Sequence, residues 1–316
     1  MPPTPTTPKT PTTPKRLIVA INPTAAFGRN HGAGAAASEI LASAGHTVIE
    51  VRQPNYELLR REVEREVRGV ESPAQAALIV VGGDGMVSLG VNAVAETGIP
   101  LGVVPVGTGN DTARNIGMPI GDPAAAAAVI VAALEREPAA VDAGRIVHGP
   151  HTTWMLGALS AGFDAAVNER ANFMSWPNSE RRYTIAVVRE LLTFRAPHYR
   201  VVVDGAEREF EAMLVAVANH SSIGGGMRIA PEASMDDGLL DLFVVDRMSR
   251  PRFLRIFPKV FKGEHTNEPE VHLQRVRSVR IEAPRVVAYA DGERIGPLPV
   301  EVTVAPGAVR LLRQPQ

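Results

Sequence analysis

Residues 76–86 read Ala-Ala-Leu-Ile-Val-Val-Gly-Gly-Asp-Gly-Met, and the fold turns on how this stretch is read. An unbroken apolar run rich in Leu, Ile and Val is the pattern of a strand buried on both faces, as in a parallel sheet covered by helices. Gly82, Gly83 and Gly85 then let the backbone turn tightly and bring its amides close to a ligand. A helix is expected from about Val87, and its N-terminus offers unpaired N–H groups suited to phosphate. Asp84 is out of place in a bare anion site, because a carboxylate repels phosphate unless a divalent cation lies between them. The same residues also suit a plain glycine-rich turn with Asp84 as helix cap.

Working outward, residues 17–21, 48–51 and 101–104 repeat the buried-strand pattern, with helical stretches at 34–44 and 56–68 between them, each stopped by glycine. Asp122-Pro123 supplies a cap and a first-turn proline for a helix over 124–134. The fold class expected for 16–146 is therefore a Rossmann-like parallel α/β domain. From about residue 147 the β segments become denser, at 154–160, 199–203, 210–218, 239–245, 271–276, 279–283 and 286–290, with helices chiefly at 180–194 and 251–262. This half, 147–316, reads as a mostly antiparallel β-sandwich. The segments 300–305 and 309–312 suit either domain. Residues 1–15 alternate Pro and Thr and read as a disordered tail without the apolar core of a signal peptide.

Composition narrows the function. Lys+Arg 33 against Asp+Glu 34 leaves a net charge of -1, so no whole-molecule field gathers polyanions, and with 5% aromatic residues there is little on which to stack bases. Nucleic acid is an unlikely partner. The absence of cysteine removes thiolate metal sites and thiol nucleophiles. The lysines are Lys9, Lys15, Lys259 and Lys262, none in a glycine-rich loop, which excludes the Walker phosphate loop. Nucleotide phosphates would have to be held by amides, arginines and metal. No run of 18 apolar residues suggests a membrane span, and the expected location is the cytoplasm.

A second strand end repeats the glycine arrangement as Pro105-Val106-Gly107-Thr108-Gly109-Asn110-Asp111. Thr108 and Asn110 offer neutral hydrogen bonds, and Asp111 can cap the next helix or join a metal cluster. Two such loops at the carboxyl ends of neighbouring parallel strands face one crevice, where open α/β sheets bind ligands. Asn22-Pro23-Thr24 adds a third loop on that edge. Further on, Asp236-Asp237-Gly238 precedes one strand and Asp291-Gly292-Glu293 follows another. Asp-Gly is a common hairpin turn, and a carboxylate there can equally ligate Mg²⁺ or take a proton from a hydroxyl.

In this order, Gly-Gly-Asp-Gly at 82–85, Gly-Thr-Gly-Asn-Asp at 107–111, Val-Asp-Ala-Gly at 141–144, Gly-Phe-Asp-Ala at 162–165, Asp-Asp-Gly at 236–238 and Asp-Gly-Glu at 291–293 resemble the bacterial diacylglycerol kinase family, relatives of sphingosine and ceramide kinases. The likeness spans roughly 16–312. It implies an ATP- and Mg²⁺-dependent lipid kinase acting on diacylglycerol, peripheral at the inner face of the membrane. By this resemblance ATP would be contacted by Asn22, Pro23 and Thr24, by Gly82, Gly83, Asp84, Gly85, Met86, Val87 and Ser88, and by Gly107, Thr108 and Asn110. Asp84 would organise a Mg²⁺ network with Asp111, Asp142 and Asp291, and Glu293 would be the base that activates the lipid hydroxyl. A structural Mg²⁺ would lie at Ser234, Asp237 and Leu239.

Some positions depart from the family pattern. Met86 stands for the usual Thr, Ser88-Leu89 for Asn-Glu, and Ala25-Ala26 for Ser-Gly with Gly28 displaced, while Arg52-Gln53 follow the second strand without a threonine. These changes bear on nucleotide affinity. Asp164 would meet a lipid headgroup or simply cap a helix. Residues 250–263 place Phe253, Ile256, Phe257, Val260 and Phe261 on one helical face with Arg252, Arg255, Lys259 and Lys262 around it, suited either to an anionic bilayer or to packing on the sheet, with Pro258 interrupting the helix. The rival functions are a kinase of another alcohol, such as a sphingoid base, ceramide, polyprenol or NAD, and a nucleotide-binding regulator without catalysis. A dehydrogenase ranks last, because Gly-x-Gly-x-x-Gly does not follow the first strand. A homodimer is compatible with a β-rich half, although no self-complementary face stands out.

Overall fold

The computed structural model describes residues 13–22, 32–173, 185, 189–190 and 193–315. The apolar runs form parallel strands β1 (Arg16–Ile21), β2 (Thr47–Arg52), β3 (Ala76–Gly82) and β4 (Pro100–Pro105). They pair in the order β2-β1-β3-β4. Helices α1 (Ala33–Ser43) and α5 (Pro123–Leu134) pack together, as do α2 (Tyr56–Arg68) and α3 (Asp84–Val94). The caps follow the expected chemistry. Asn55 accepts a hydrogen bond from the Leu58 amide at 2.9 Å, and Asp122 accepts from the Ala125 amide at 2.9 Å with Pro123 in the first turn. Because β1 leads on to β2 on one side and β3 leads to β4 on the other, the strand order reverses between β1 and β3, the kind of position beside which open α/β sheets bind ligands.

The rest of the chain is β-rich: β5 (Ala139–His148), β6 (His151–Met155), β7 (Ala158–Gly162), β8 (His198–Val203), β9 (Ala206–Ala218), β10 (Leu240–Asp246), β11 (Val271–Val276), β12 (Ser278–Glu282), β13 (Val287–Ala290), β14 (Glu293–Pro297) and β15 (Val300–Leu312). Except for the β15–β4 pair, their pairing is antiparallel, as in a β-sandwich. The long β9 serves two leaves, pairing with β8 through residue 211 and with β7 and β10 beyond it. A core of Leu159, Tyr199, Val201, Val215, Val279 and Ile281 lies between them, each fully buried.

Two expectations change, the interruption at Pro258 is as expected, and the open placement of 300–312 is resolved. Residues 154–160 are not one strand: the chain breaks at Leu156-Gly157, whose amides turn to the Asp291 carboxylate instead of a neighbouring strand. After α6 (Phe163–Phe173), the helix over 251–262 is α7 (Arg250–Ile256), followed by a 3-10 segment, Phe257–Lys262, because Pro258 lacks the N–H that would continue it. The segments 300–305 and 309–312 form the single strand β15, shifted in register between Ala305 and Val309, and it serves both halves by pairing with β12, β5 and β4. The helix after Gly83 begins at Asp84 instead of about Val87. Pro23, Thr24, Ala25, Ala26 and Gly28, and most of 180–194, lie outside the described residues.

Candidate active site

The two glycine loops meet. The Val106 amide donates to the Gly82 carbonyl at 3.0 Å, and the Gly83 and Gly107 backbones are so close that a Cβ on Gly107 would lie 2.4 Å from Gly83 Cα. Glycine at both positions is what allows this contact. The Asn110 side chain closes its own loop, accepting from the Gly107 amide at 3.0 Å and donating to the Gly107 carbonyl at 2.7 Å. Asn110 has a positive φ of 55° and is the N-cap of α4 (Asp111–Asn115).

Asp84, the first residue of α3, directs Oδ1 to the Thr112 amide of α4 at 3.2 Å. Burial raises its carboxyl above the usual range, the Thr112 amide works against this, and the Asp111 charge adds to it. Asp111 accepts from Arg114 at 2.9 Å and from the Gly225 amide at 2.6 Å, so the glycine-rich loop after β9 lies against the second loop. Asn115 reinforces this contact, donating to Ser222 at 2.9 Å and accepting from the Ser221 hydroxyl at 2.7 Å.

Asp291 and Gly292 both have positive φ and form the hairpin turn between β13 and β14. The hairpin reading of Asp-Gly is therefore the one its backbone takes. The Asp291 carboxylate accepts from the Leu156, Gly157 and Ala158 amides at 2.8 to 3.0 Å. Burial pushes it up to about 6, the three amides oppose this, and the Asp84 charge adds to it. Glu293 Oε1 comes within 3.3 Å of where a Gly85 Cβ would stand, which places the carboxyl beside the first turn of α3. The residue as a whole remains exposed, while burial of the carboxyl raises its pKa. Tyr56, whose hydroxyl donates to the Gly85 carbonyl at 3.4 Å, has its phenol raised by burial and by the Glu293 charge.

Asp84, Thr108, Asp111 and Asp291 thus line one cleft of about 540 Å³. Met86, Val87 and Ser88 are buried, and of residues 82–88 only Asp84 lines the cleft. Asp142 plays a different part. Its oxygens accept from the Gly238 amide at 2.7 Å and the Gly307 amide at 2.9 Å, clasping the 234–239 turn to β15. Within that turn Asp237 accepts from the Leu239 amide at 3.0 Å and Ser234 donates to Asp236. The buried Asp241 beside it is pushed up to about 6 by burial, against the Arg275 charge.

Sequence reasoning passed over Asn219 and His220. Asn219 donates to the Asp142 and Leu156 carbonyls at 2.8 and 2.9 Å, bracing the segment that holds Asp291. His220 lines the cleft 3.4 Å from the Thr112 hydroxyl, and burial lowers it to about 4, so it is neutral near pH 7. The available signal was an Asn-His pair closing the apolar end of a strand. Asp164 lines both the polar cleft and an adjoining apolar crevice formed by Phe163, Leu214, Phe243, Phe253 and Phe257. Burial raises its carboxyl, against a hydrogen bond from Ser160.

Known proteins resemble this chain in sequence and in fold. Residues 16–146 match the diacylglycerol kinase catalytic domain, and 157–313 match the YegS C-terminal NAD kinase beta sandwich-like domain. A diacylglycerol kinase of Mycobacterium tuberculosis (strain ATCC 25618 / H37Rv) is 42% identical over 239 residues, covering 75% of this chain and 76% of its own. That of Bacillus subtilis (strain 168) is 28% identical over 227 residues, covering 71% and 73%. The crystal structure of a diacylglycerol kinase from Bacillus anthracis str. Sterne superposes with a TM-score of 0.69 at 24% identity over 95% of this chain and 97% of its own, a likeness of fold. With the motifs in order, the loops in contact and a relative this similar, the chain belongs to the diacylglycerol kinase family of lipid kinases.

Proposed function

We propose that the protein transfers the γ-phosphate of ATP to the hydroxyl of a diacylglycerol, giving phosphatidate, and that it works at the inner face of the cytoplasmic membrane. The observation that carries this is the junction of two cavities. A polar cleft walled by Asp84, Thr108, Asp111 and Asp291 shares Asp164, Ile223 and Met227 with an apolar crevice. Phosphate chemistry and an acyl chain therefore find adjoining surfaces of opposite polarity. No helix among the described residues is long and apolar enough to cross a membrane, so a lipid would have to be reached from the surface.

No group of three or more acidic or histidine side chains among the described residues is placed to hold a metal ion alone, so a divalent cation such as Mg²⁺ would have to be shared with the phosphates of the nucleotide. Asp84 and Asp291 are hard oxygen ligands whose carboxyls are raised by burial and by neighbouring negative charge, and a cation would relieve that. When bound, it would neutralise charge on the transferring phosphoryl group. Asp84 and Asp291, with Asp111 beside them, would hold it, and Asp237 with the Ser234 and Leu239 carbonyls is the candidate for a structural ion. The glycine-loop amides and Thr108 would orient the phosphates. Glu293 would take the proton of the attacking hydroxyl, and a carboxyl raised toward neutrality is a better base for that step.

The test is transfer from γ-labelled ATP with Mg²⁺ to diacylglycerol, ceramide, sphingosine and a polyprenol in mixed micelles. Phosphatidate alone is expected, absent in Asp84→Ala. Glu293→Gln should lower kcat by about a hundredfold or more while ATP affinity changes little. Equal loss of both would remove Glu293 from the role of base, and labelling of another alcohol would replace the acceptor.

A further inference from the structure

The stretch containing α7 and the following 3-10 segment has two sides. Inward, Phe253, Ile256, Phe257 and Val260 line the apolar crevice. Outward, residues 250, 251, 254, 255, 258, 261 and 262 are exposed and recur at helical spacing, so they form one stripe. Its apolar members are Leu254, 55% exposed, and Phe261, 49% exposed, the two most open large hydrophobic side chains among the described residues. Beside them stand Arg228, Arg250, Arg255 and Lys262. All four are exposed, and none has a carboxylate partner among the described residues. Arg228 adjoins this segment, its amide donating to the Val260 carbonyl at 3.0 Å. Arg252 and Lys259 are used differently, paired with Glu268 and, for Arg252, also with Glu270 at 2.9 Å. No acidic residue occurs between Asp246 and Glu264.

The face is also connected to the cleft. Ring contacts run from Phe163, beside Asp164, to Phe253 at 5.0 Å, from Phe253 to Phe257 at 5.9 Å, and from Phe257 to the exposed Phe261 at 6.2 Å. An aromatic path therefore leads from the candidate site to the centre of the stripe.

We propose that this stripe is the surface on which the enzyme rests on an anionic bilayer, with Leu254 and Phe261 entering the headgroup layer and the four cations meeting lipid phosphates. The inference rests on the reading of the acceptor as a membrane lipid and names the face that meets it. Charge complementarity selects the occupant. Two exposed apolar side chains give a weak anchor by themselves, and unpaired cations around them add an attraction that depends on anionic lipid. An apolar groove of a protein partner would leave these cations without counter-charges.

The experiment is co-sedimentation of the full chain with phosphatidylcholine vesicles, with and without phosphatidylglycerol, over a range of salt. Binding is expected only with phosphatidylglycerol and should weaken as salt rises. Arg255→Gln and Lys262→Gln should each lower partitioning about fivefold, and Leu254→Ser with Phe261→Ser about tenfold or more. All these side chains are exposed, so each pair checks the other against a folding defect. Turnover of a short-chain diacylglycerol dissolved as monomers should be unchanged in every variant, whereas turnover of vesicle-borne diacylglycerol should fall with binding. Vesicle binding that ignores both pairs overturns the proposal, as does a wild-type dimer that Phe261→Ser converts to monomer, which would assign the face to a second copy. Variant-sensitive vesicle binding without turnover of the soluble diacylglycerol would uphold the face and overturn the acceptor.

Discussion

Alanine at Gly107 and at Gly109 separates the scaffold of the site from its chemistry. A Cβ on Gly107 would stand 2.4 Å from Gly83 Cα and 3.0 Å from both the Gly83 nitrogen and Asn110 Oδ1, where ordinary contacts are 3.4–4 Å. The obstacle is backbone, so it yields only if the two loops separate by about 1 Å, which overpacking data place at about 1–3 kcal/mol. Separation also breaks the Val106–Gly82 backbone hydrogen bond that joins the two loops, worth about 1 kcal/mol. Gly107→Ala should therefore lose about 2–4 kcal/mol of stability. A Cβ on Gly109 meets a different neighbour, Asp84 Oδ2, at 2.7 Å. That atom ends a side chain and can swing aside, so the stability change should stay below about 1 kcal/mol. The displaced carboxylate should nevertheless lower kcat about a hundredfold. Urea unfolding and phosphoryl transfer from ATP, measured on both variants, decide the matter. A wild-type urea midpoint for Gly107→Ala, or full kcat for Gly109→Ala, would refute the reasoning.

Two further outcomes follow from buried groups. His220 is held neutral in the fold with a value lowered to about 4 from 6.5, so the stability it contributes is complete above 6.5 and drains away as pH falls toward 4. The amount is on the order of 3 kcal/mol, and His220→Asn should flatten stability against pH over that window; parallel curves for variant and wild type would exclude it. Asp142→Ala strands the Gly238 and Gly307 amides, so it should cost about 2–5 kcal/mol, with Asp142→Asn costing less because one acceptor oxygen remains. A wild-type urea midpoint for Asp142→Ala would show that the clasp contributes nothing.

Three of the parallel strands, β1, β3 and β4, were legible because they are buried on both faces and carry near-continuous apolar runs, as 76–81 does, whereas the edge strand β2 is largely open and is interrupted by Glu50. The loops were legible for a related reason: only glycine permits the approach of Gly83 to Gly107, so the geometry is written in residue type. The β-rich half was harder to read. The strand β14, Glu-Arg-Ile-Gly-Pro, is mostly exposed and carries almost no apolar signal. The break at Leu156-Gly157 follows from Asp291, about 135 residues away in sequence, and local pattern cannot register it. Asp291 itself shows why Asp-Gly motifs are ambiguous, since the left-handed backbone that makes the hairpin is also what carries the carboxylate to three amides. For Asp142 the family resemblance suggested a metal ligand, whereas its contacts are those of a clasp between distant backbone segments.

The shared strand β15 has a consequence for how the molecule is made. Its Arg310–Leu312 end is the parallel neighbour of β4, yet it is translated about 200 residues later. A ribosome that has emitted only the α/β half has produced a sheet with β4 as a bare edge, the kind of open ladder that recruits wrong partners. Completion must wait for the segment through Leu312, so the late steps of folding are long-range and slow, and chaperone demand should peak in that interval. Residues 16–146 expressed alone would reproduce this stalled species indefinitely, and aggregation of that fragment would reflect the missing strand alone, even with every element of the half correctly formed.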